Sequence, residues 1–312
     1  MALTDKLTAI ADAIRAKTGG SALMTLDDMP DEIASISGGG GDGFDWSLLL
    51  RIYFKNPSTQ TALDFNDIEI DASGMNTISF NNCSNITAIT FPNSFDTSAL
   101  MTTDSMFASC TSLTSLDLTM LDTANVISMA SMFNGDRTAL TSVNMHGLNT
   151  ANVTNMNAMF YQCNTLASVD MSGFDTTRVT NMLNMFYYCS SLVSLDLSSF
   201  DTRAVKNMGS MFYGCSRLKS VNLWNWDTSS VTNMSSMFLS TALEAVIWSQ
   251  KPTVQKLVTS PTSSWCPTSA IFYVPDDLVD DYQAATNWST IASRIKGISE
   301  LPATYKTLYG IQ

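Results

Sequence analysis

The chain has 312 residues, of which 45% are hydrophobic and only 14% charged, and its net charge of −12 comes from 16 Lys and Arg against 28 Asp and Glu. That much apolar side chain supports a sizeable core and excludes disorder through lack of hydrophobic residues, while the acidic balance leaves little attraction for nucleic acid or an anionic membrane surface. With a single histidine, His146, a His-based catalytic triad or a multi-histidine metal site is very hard to build, so a non-enzyme without metal or cofactor is expected.

Residues 1–37 share nothing with the rest. Leu3, Leu7, Ile10 and Ile14 form an a/d stripe that predicts a helix ended by Gly19-Gly20. Met24, Leu26, Met29 and Ile33, with Pro30 among them, predict a second short helix. Asp5 and Asp12 fall where the apolar core of a signal peptide would lie, so none is expected in this chain. No apolar run spans a bilayer; Leu48 to Phe54 is interrupted by Arg51. So small a unit holds little core alone, which predicts attachment or oligomerisation through Leu3, Leu7, Ile10 and Ile14, with a homotrimer as the expected state. The phrase from Leu7 to Gly19, followed by Met29-Pro30 and Ile33, resembles the leading segment of tail-associated proteins encoded by phages and prophages of gut Firmicutes. The resemblance implies other tail proteins as partners. Gly38 to Gly41 open a flexible linker over residues 38–43.

From residue 44 to 250 the expectation is a solenoid. Residues 44–74 are apolar but off-pattern and predict an N-terminal cap, as terminal coils of a repeat array require. Phe80, Phe107, Phe133, Phe160, Phe186, Phe212 and Phe238 then recur every 26 or 27 residues, and a period in the twenties predicts a solenoid. Methionine precedes each Phe from Met106 to Met237, and cysteine follows three residues later at Cys83, Cys110, Cys163, Cys189 and Cys215. Leu192 to Leu197 alternates as a short strand does. Asp201-Thr202 before Val205, Met208, Met211 and Phe212 gives an i, i+3, i+6, i+7 spacing that predicts about two turns of capped helix. Each repeat thus reads as strand plus helix, and the fold class as a right-handed α/β solenoid of about seven coils.

Leu192-x-x-Leu195-x-Leu197 resembles the strand segment of leucine-rich repeats. The phrase Phe200-Asp201-Thr202 through Val205, Asn207-Met208, Met211-Phe212 and Cys215 is similar to BspA-like bacterial surface-protein repeats. Where leucine-rich repeats carry asparagine after the strand, this chain has Leu121, Leu148, Phe174, Phe200 and Trp226, so packing and the following Asp-Thr must close that turn. Residues 251–312, with a strand at Ile271 to Val274 and helices from Asp276 to Ile295, are expected to cap the array.

Three sets of residues are candidate sites. Aligned cysteines invite a disulfide or metal reading, yet stacked side chains sit about a strand spacing apart, wider than a disulfide prefers, which favours buried thiols. Outward strand positions make one column of serines and another of Asp117, Asn144, Asp170, Asp196 and Asn222. The second is either a mildly acidic recognition face or a solvated ladder. Tyr161, Tyr187, Tyr188 and Tyr213 form an aromatic column and Trp224 stands near the strand face. They are either ligand-binding rings or stacking within the solenoid. A glycoside hydrolase would need one asymmetric carboxylate pair, which evenly repeated aspartates do not supply. The expected function is host recognition, by a phage tail-associated receptor-binding protein contacting a surface protein or glycan, or by a bacterial surface adhesin. The corresponding location is the virion or the cell surface.

Overall fold

The computed structural model describes residues 62–64, 76–91, 95–135, 138–249, 255, 257 and 265–312. The front segment 1–37, the linker and Asp136 lie outside the described residues, as do most of residues 44–74. Two stacks of backbone contacts run along the molecule. One is the strand stack: β1 (Ala62–Asp64) pairs with β2 (Ala88–Thr90), and β3 (Ser115–Asp117) with β4 (Ser142–Asn144). Beyond them β5 (Ser194–Asp196), β6 (Ser220–Asn222), β7 (Ala245–Ile247), β8 (Ile271–Val274) and β9 (Ile295–Gly297) form a five-stranded sheet. All pairs are parallel and in register, as Leu195 opposite Val221 and Val246 illustrate. The other stack is continuous: Thr77, Thr102, Ser128, Asn155, Asn181, Asn207 and Asn233 bridge in parallel one to the next. Seven such residues enclose about six turns, one fewer than the expected seven coils.

The solenoid is as the repeat predicts, but its helical half is not. Among the described residues the only helices follow β8. Between Asn181 and Cys189, where two turns of helix are expected, the chain makes consecutive β-turns instead. Met185 N–H donates to Met182 C=O and Cys189 N–H to Phe186 C=O, and the third residue of each turn, Asn184 and Tyr188, has φ of 58° and 55°. The same pair of left-handed residues recurs at Ser105 and Ser109, at Ala158 and Gln162, and at Ser236 and Ser240. A left-handed residue every fourth position cannot belong to an α-helix. What it provides is direction: Met182, Asn184, Phe186 and Tyr188 each donate their N–H to the next coil, at Asn207, Gly209, Met211 and Tyr213. Every second N–H that a helix would satisfy internally is thus satisfied between coils, the others closing turns within their own coil.

Inside, each residue type stacks on its own copies. The seven repeat phenylalanines lie in one column with ring centroids 5.1–5.8 Å apart and planes within 14° of parallel, each ring buried. Every neighbouring aromatic pair adds about 0.5–1.5 kcal/mol beyond its buried area. Both methionine columns and the valines from Val126 to Val231 are buried beside them. The turn that lacks the leucine-rich-repeat asparagine is closed by packing: Leu121, Leu148, Phe174, Phe200 and Trp226 are buried, and Trp226 Nε1 donates to Leu197 C=O at 3.2 Å. At the C-terminal end the parallel stack stops on edge-on rings, with Trp265 at 85° to Phe238 and 5.2 Å from it. Phe272, Trp288 and Tyr282 continue that cluster. Around them lie α1 (Val279–Ala284) and the 3-10 turn Trp288–Arg294.

The Asp-Thr phrase, expected as a helix cap, is a coil-to-coil clamp. Thr176 Oγ1 donates to Asp201 C=O at 3.0 Å and accepts Asp201 N–H at 2.8 Å. Thr150 does the same to Asp175, and Thr202 to Asp227, each hydroxyl in the interior. Removing such a hydroxyl takes the partner from an N–H and a carbonyl together, both part-buried. Thr176→Val is therefore expected to lower unfolding stability by about 2 kcal/mol, against well under half of that for Thr176→Ser, measured by urea denaturation.

Candidate functional site

Two surfaces carry the candidate residues, the outward strand face and the outer edge of the turn ribbon. On the strand face, Asp117 Oδ1 accepts the N–H of Thr119 at 3.0 Å, Asp170 that of Ser172 at 2.9 Å and Asp196 that of Ser198 at 2.9 Å. Asn144 and Asn222 make the same bond to His146 and Trp224. The shared Oδ1 acceptor explains why Asp and Asn interchange in this column: each closes the turn that follows its strand. These bonds hold the carboxyls of Asp117 and Asp170 below the ordinary value of 3.8, the N–H donors being the main cause. The carboxylates are exposed but repeat evenly. Among the described residues no group of three or more His, Cys, Asp or Glu is arranged around a metal position.

The sign of the pH effect follows from these shifts. A carboxyl whose folded pKa is depressed contributes stability above its unfolded pKa and loses it as pH falls through the folded value. The urea midpoint is expected to drop as pH falls below about 4. In an Asp117→Asn, Asp170→Asn double variant, which keeps both acceptors but not their charge, that drop should be shallower and neutral-pH stability slightly lower.

Only part of the strand face is open. The serine and aspartate positions from Ser115 to Asp170 are exposed, but Ser220 and Asn222 are buried. The cover is the chain's own C-terminus, the 3-10 turn Ile298–Glu300 and helix α2 (Ala303–Tyr309). A second apolar cluster forms there from Ala245, Ile247, Tyr273 and Leu301, with Trp224, Tyr305 and Tyr309 against it. Tyr309 Oη shares a 2.8 Å hydrogen bond with Ser220 Oγ, and Tyr305 Oη donates to Glu244 Oε2 at 2.7 Å. Burial pushes the Tyr309 phenol up to about 12. Trp224, read from sequence as a possible ligand-binding ring, is half-buried under this tail, so its ring meets the chain's own C-terminal segment. A signal for the cover was present: outward positions change from Ser and Asp to Ala245, Ile247 and Tyr273.

On the ribbon edge the structure brings the four tyrosines together. Tyr161, Tyr187 and Tyr213 stack at 4.7 and 4.9 Å with planes within 10°. Those inner ring faces are covered by one another, which leaves them little to offer a ligand. Tyr188 differs: it stands edge-on to Tyr187, tilted against Tyr213, and 41% exposed. The cysteines are core. Sγ of Cys110, Cys163, Cys189 and Cys215 donates to the carbonyl of the preceding coil's phenylalanine at 3.0–3.3 Å. Burial raises these thiols, to about 12 at Cys110, Cys163 and Cys215, which makes them unreactive. Leu3, Leu7, Ile10 and Ile14, the expected oligomerisation stripe, lie outside the described residues.

The family model described as "Mycoplasma protein of unknown function, DUF285" matches residues 73–169 and again 162–250. The two matches together cover residues 73–250, the repeat coils of the solenoid, and fit the BspA-like repeat resemblance. No curated protein matches the chain.

Proposed function

Because the chain belongs to the DUF285 family of repeat proteins, we propose that it is a non-enzymatic recognition module that contacts a surface protein or glycan of a host cell. The observation that carries this reading is the spending of polar groups. Thr, Asn, Asp and backbone amides are committed to bonds within and between coils, and what remains is a set of broad, rigid faces. Rigid faces suit recognition, where binding gains from surfaces ordered beforehand.

Within this reading, residues 1–37 attach the solenoid to other proteins of a phage tail, in a homotrimer, and the linker 38–43 lets it reach the host. The support is the resemblance of Leu7 to Gly19 to tail-associated leading segments. A bacterial surface adhesin is the second reading, favoured by the BspA-like repeats themselves. Cell binding tests the shared claim. Fluorescently labelled full chain, applied to a panel of gut Firmicutes, is expected to label at least one strain saturably. A chain beginning at Phe44 should bind the same strain with a weaker apparent affinity, through loss of multivalency. Failure of the full chain to label any strain contradicts the reading.

A further inference from the structure

The position two residues after each repeat phenylalanine is held by Asn82, Ser109, Gly135, Gln162, Tyr188, Gly214 and Ser240 in successive coils. Six of the seven are small or an amide. Tyr188 is the exception, and it adopts φ 55°, a region bulky residues rarely occupy. Its backbone makes the same bonds as its counterparts, N–H to Tyr213 C=O at 2.7 Å and C=O from Ser190 N–H at 2.8 Å. The ring lies directly over the next coil's glycine: a Cβ on Gly214 would stand 2.8–3.0 Å from Tyr188 Cδ1, Cγ and Cε1. Gly214 itself has φ 73°. A bulky ring in a costly conformation, seated on a residue that must lack a side chain, is nonetheless 41% exposed. Backbone strain of this kind persists where surrounding structure over-determines it, and it clusters at binding sites.

Its surroundings indicate a ligand class. The ring is rigid, being braced by Tyr187 and Tyr213 at 4.8 and 5.5 Å, and its own column places Gln162 one coil before it and Ser240 two coils after it. Gln162 and Ser240 are three coils apart, about 14 Å at the usual spacing of parallel strands. We propose that Tyr188 is the platform of a carbohydrate site, taking the C–H face of a pyranose on its exposed ring while Gln162 and Ser240 bond hydroxyls of the flanking sugars. A rigid aromatic ring beside short polar side chains gives contact area at low entropic cost. The site deepens the recognition reading and rests on it.

The test uses the full chain, Tyr188→Gly and Tyr188→Phe on a printed array of short pyranose oligosaccharides, with urea denaturation of each protein. Glycine serves this position in two other coils, so Tyr188→Gly should fold with an unchanged or higher urea midpoint. Its binding to any oligosaccharide the full chain captures should fall at least about tenfold, whereas Tyr188→Phe should retain binding within a few-fold. Capture of no array oligosaccharide by the full chain, or equal capture by Tyr188→Gly, overturns the site. Strain labelling by the full chain that survives Tyr188→Gly would leave the recognition reading standing and assign it to another surface. Loss of all strain labelling by the full chain would remove both.

Discussion

The structure depends on one use of the backbone: in the half of each coil where the chain turns back, every second N–H points along the solenoid axis and bonds the next coil. Phe107 to Met132, Phe133 to Met159, Phe160 to Met185 and Phe186 to Met211 are one row of such bonds, each 2.8–2.9 Å. Left-handed residues beside each phenylalanine, on both sides in most coils, are the conformational cost, on the order of 1–2 kcal/mol for each non-glycine residue. The bonds offset that cost only collectively, because these N–H groups are satisfied by the neighbouring coil, while those between them close turns within their own coil. Cooperativity between nearest neighbours follows, as in other one-dimensional arrays.

With coils fixed in register, equivalent positions meet from coil to coil. Phenylalanine stacks on phenylalanine, threonine clamps aspartate, and Cys110, Cys163, Cys189 and Cys215 donate to a carbonyl of the preceding coil. Asn233 Nδ2 donates to Asn207 Oδ1 at 2.9 Å and Asn155 Nδ2 to Ser128 Oγ at 3.4 Å, so side chains of the bridge column also join neighbouring coils. Charges repeated at this spacing would repel, which accounts for the scarcity of charged residues and the interchange of Asp with Asn. Flexible, unbranched methionine fills the space between the phenylalanine column and the valines without demanding one shape.

The period, the strand stack and the buried columns were legible because each follows from the spacing of apolar residues. The helix was misread for an instructive reason. Val205, Met208, Met211 and Phe212 have helical spacing, but a ribbon of β-turns also returns inward every three or four residues. The distinguishing residues lay between them: Gly209, Ser210 and Gly214, like Ser105 and Ser109 elsewhere, are poor helix formers. Asp201 looked like a cap because Asx-turns and N-caps use the same side-chain acceptor; Arg203 N–H donates to Asp201 Oδ1 at 3.1 Å, and no helix follows. The tyrosine column was legible as a column, yet only packing separates the three rings that cover one another from Tyr188. The tail over Trp224 depends on a contact between residues far apart in sequence, such as Ser220 and Tyr309; the change to Ala245, Ile247 and Tyr273 signals a cover but not which segment supplies it.

Recognition by such an array draws on faces whose geometry is set before any ligand arrives, and that rigidity comes from the axial hydrogen bonds. The most direct measurement is therefore of backbone conformation in the ribbon, read by substitution. Gln162 has φ 60° and is half-buried. In a left-handed site Gln162→Gly should raise the urea-unfolding stability by about 0.5–1 kcal/mol. A loss of about 1 kcal/mol, the cost of glycine in a helix interior, would contradict the turn ribbon and with it the axial bonding on which the account rests.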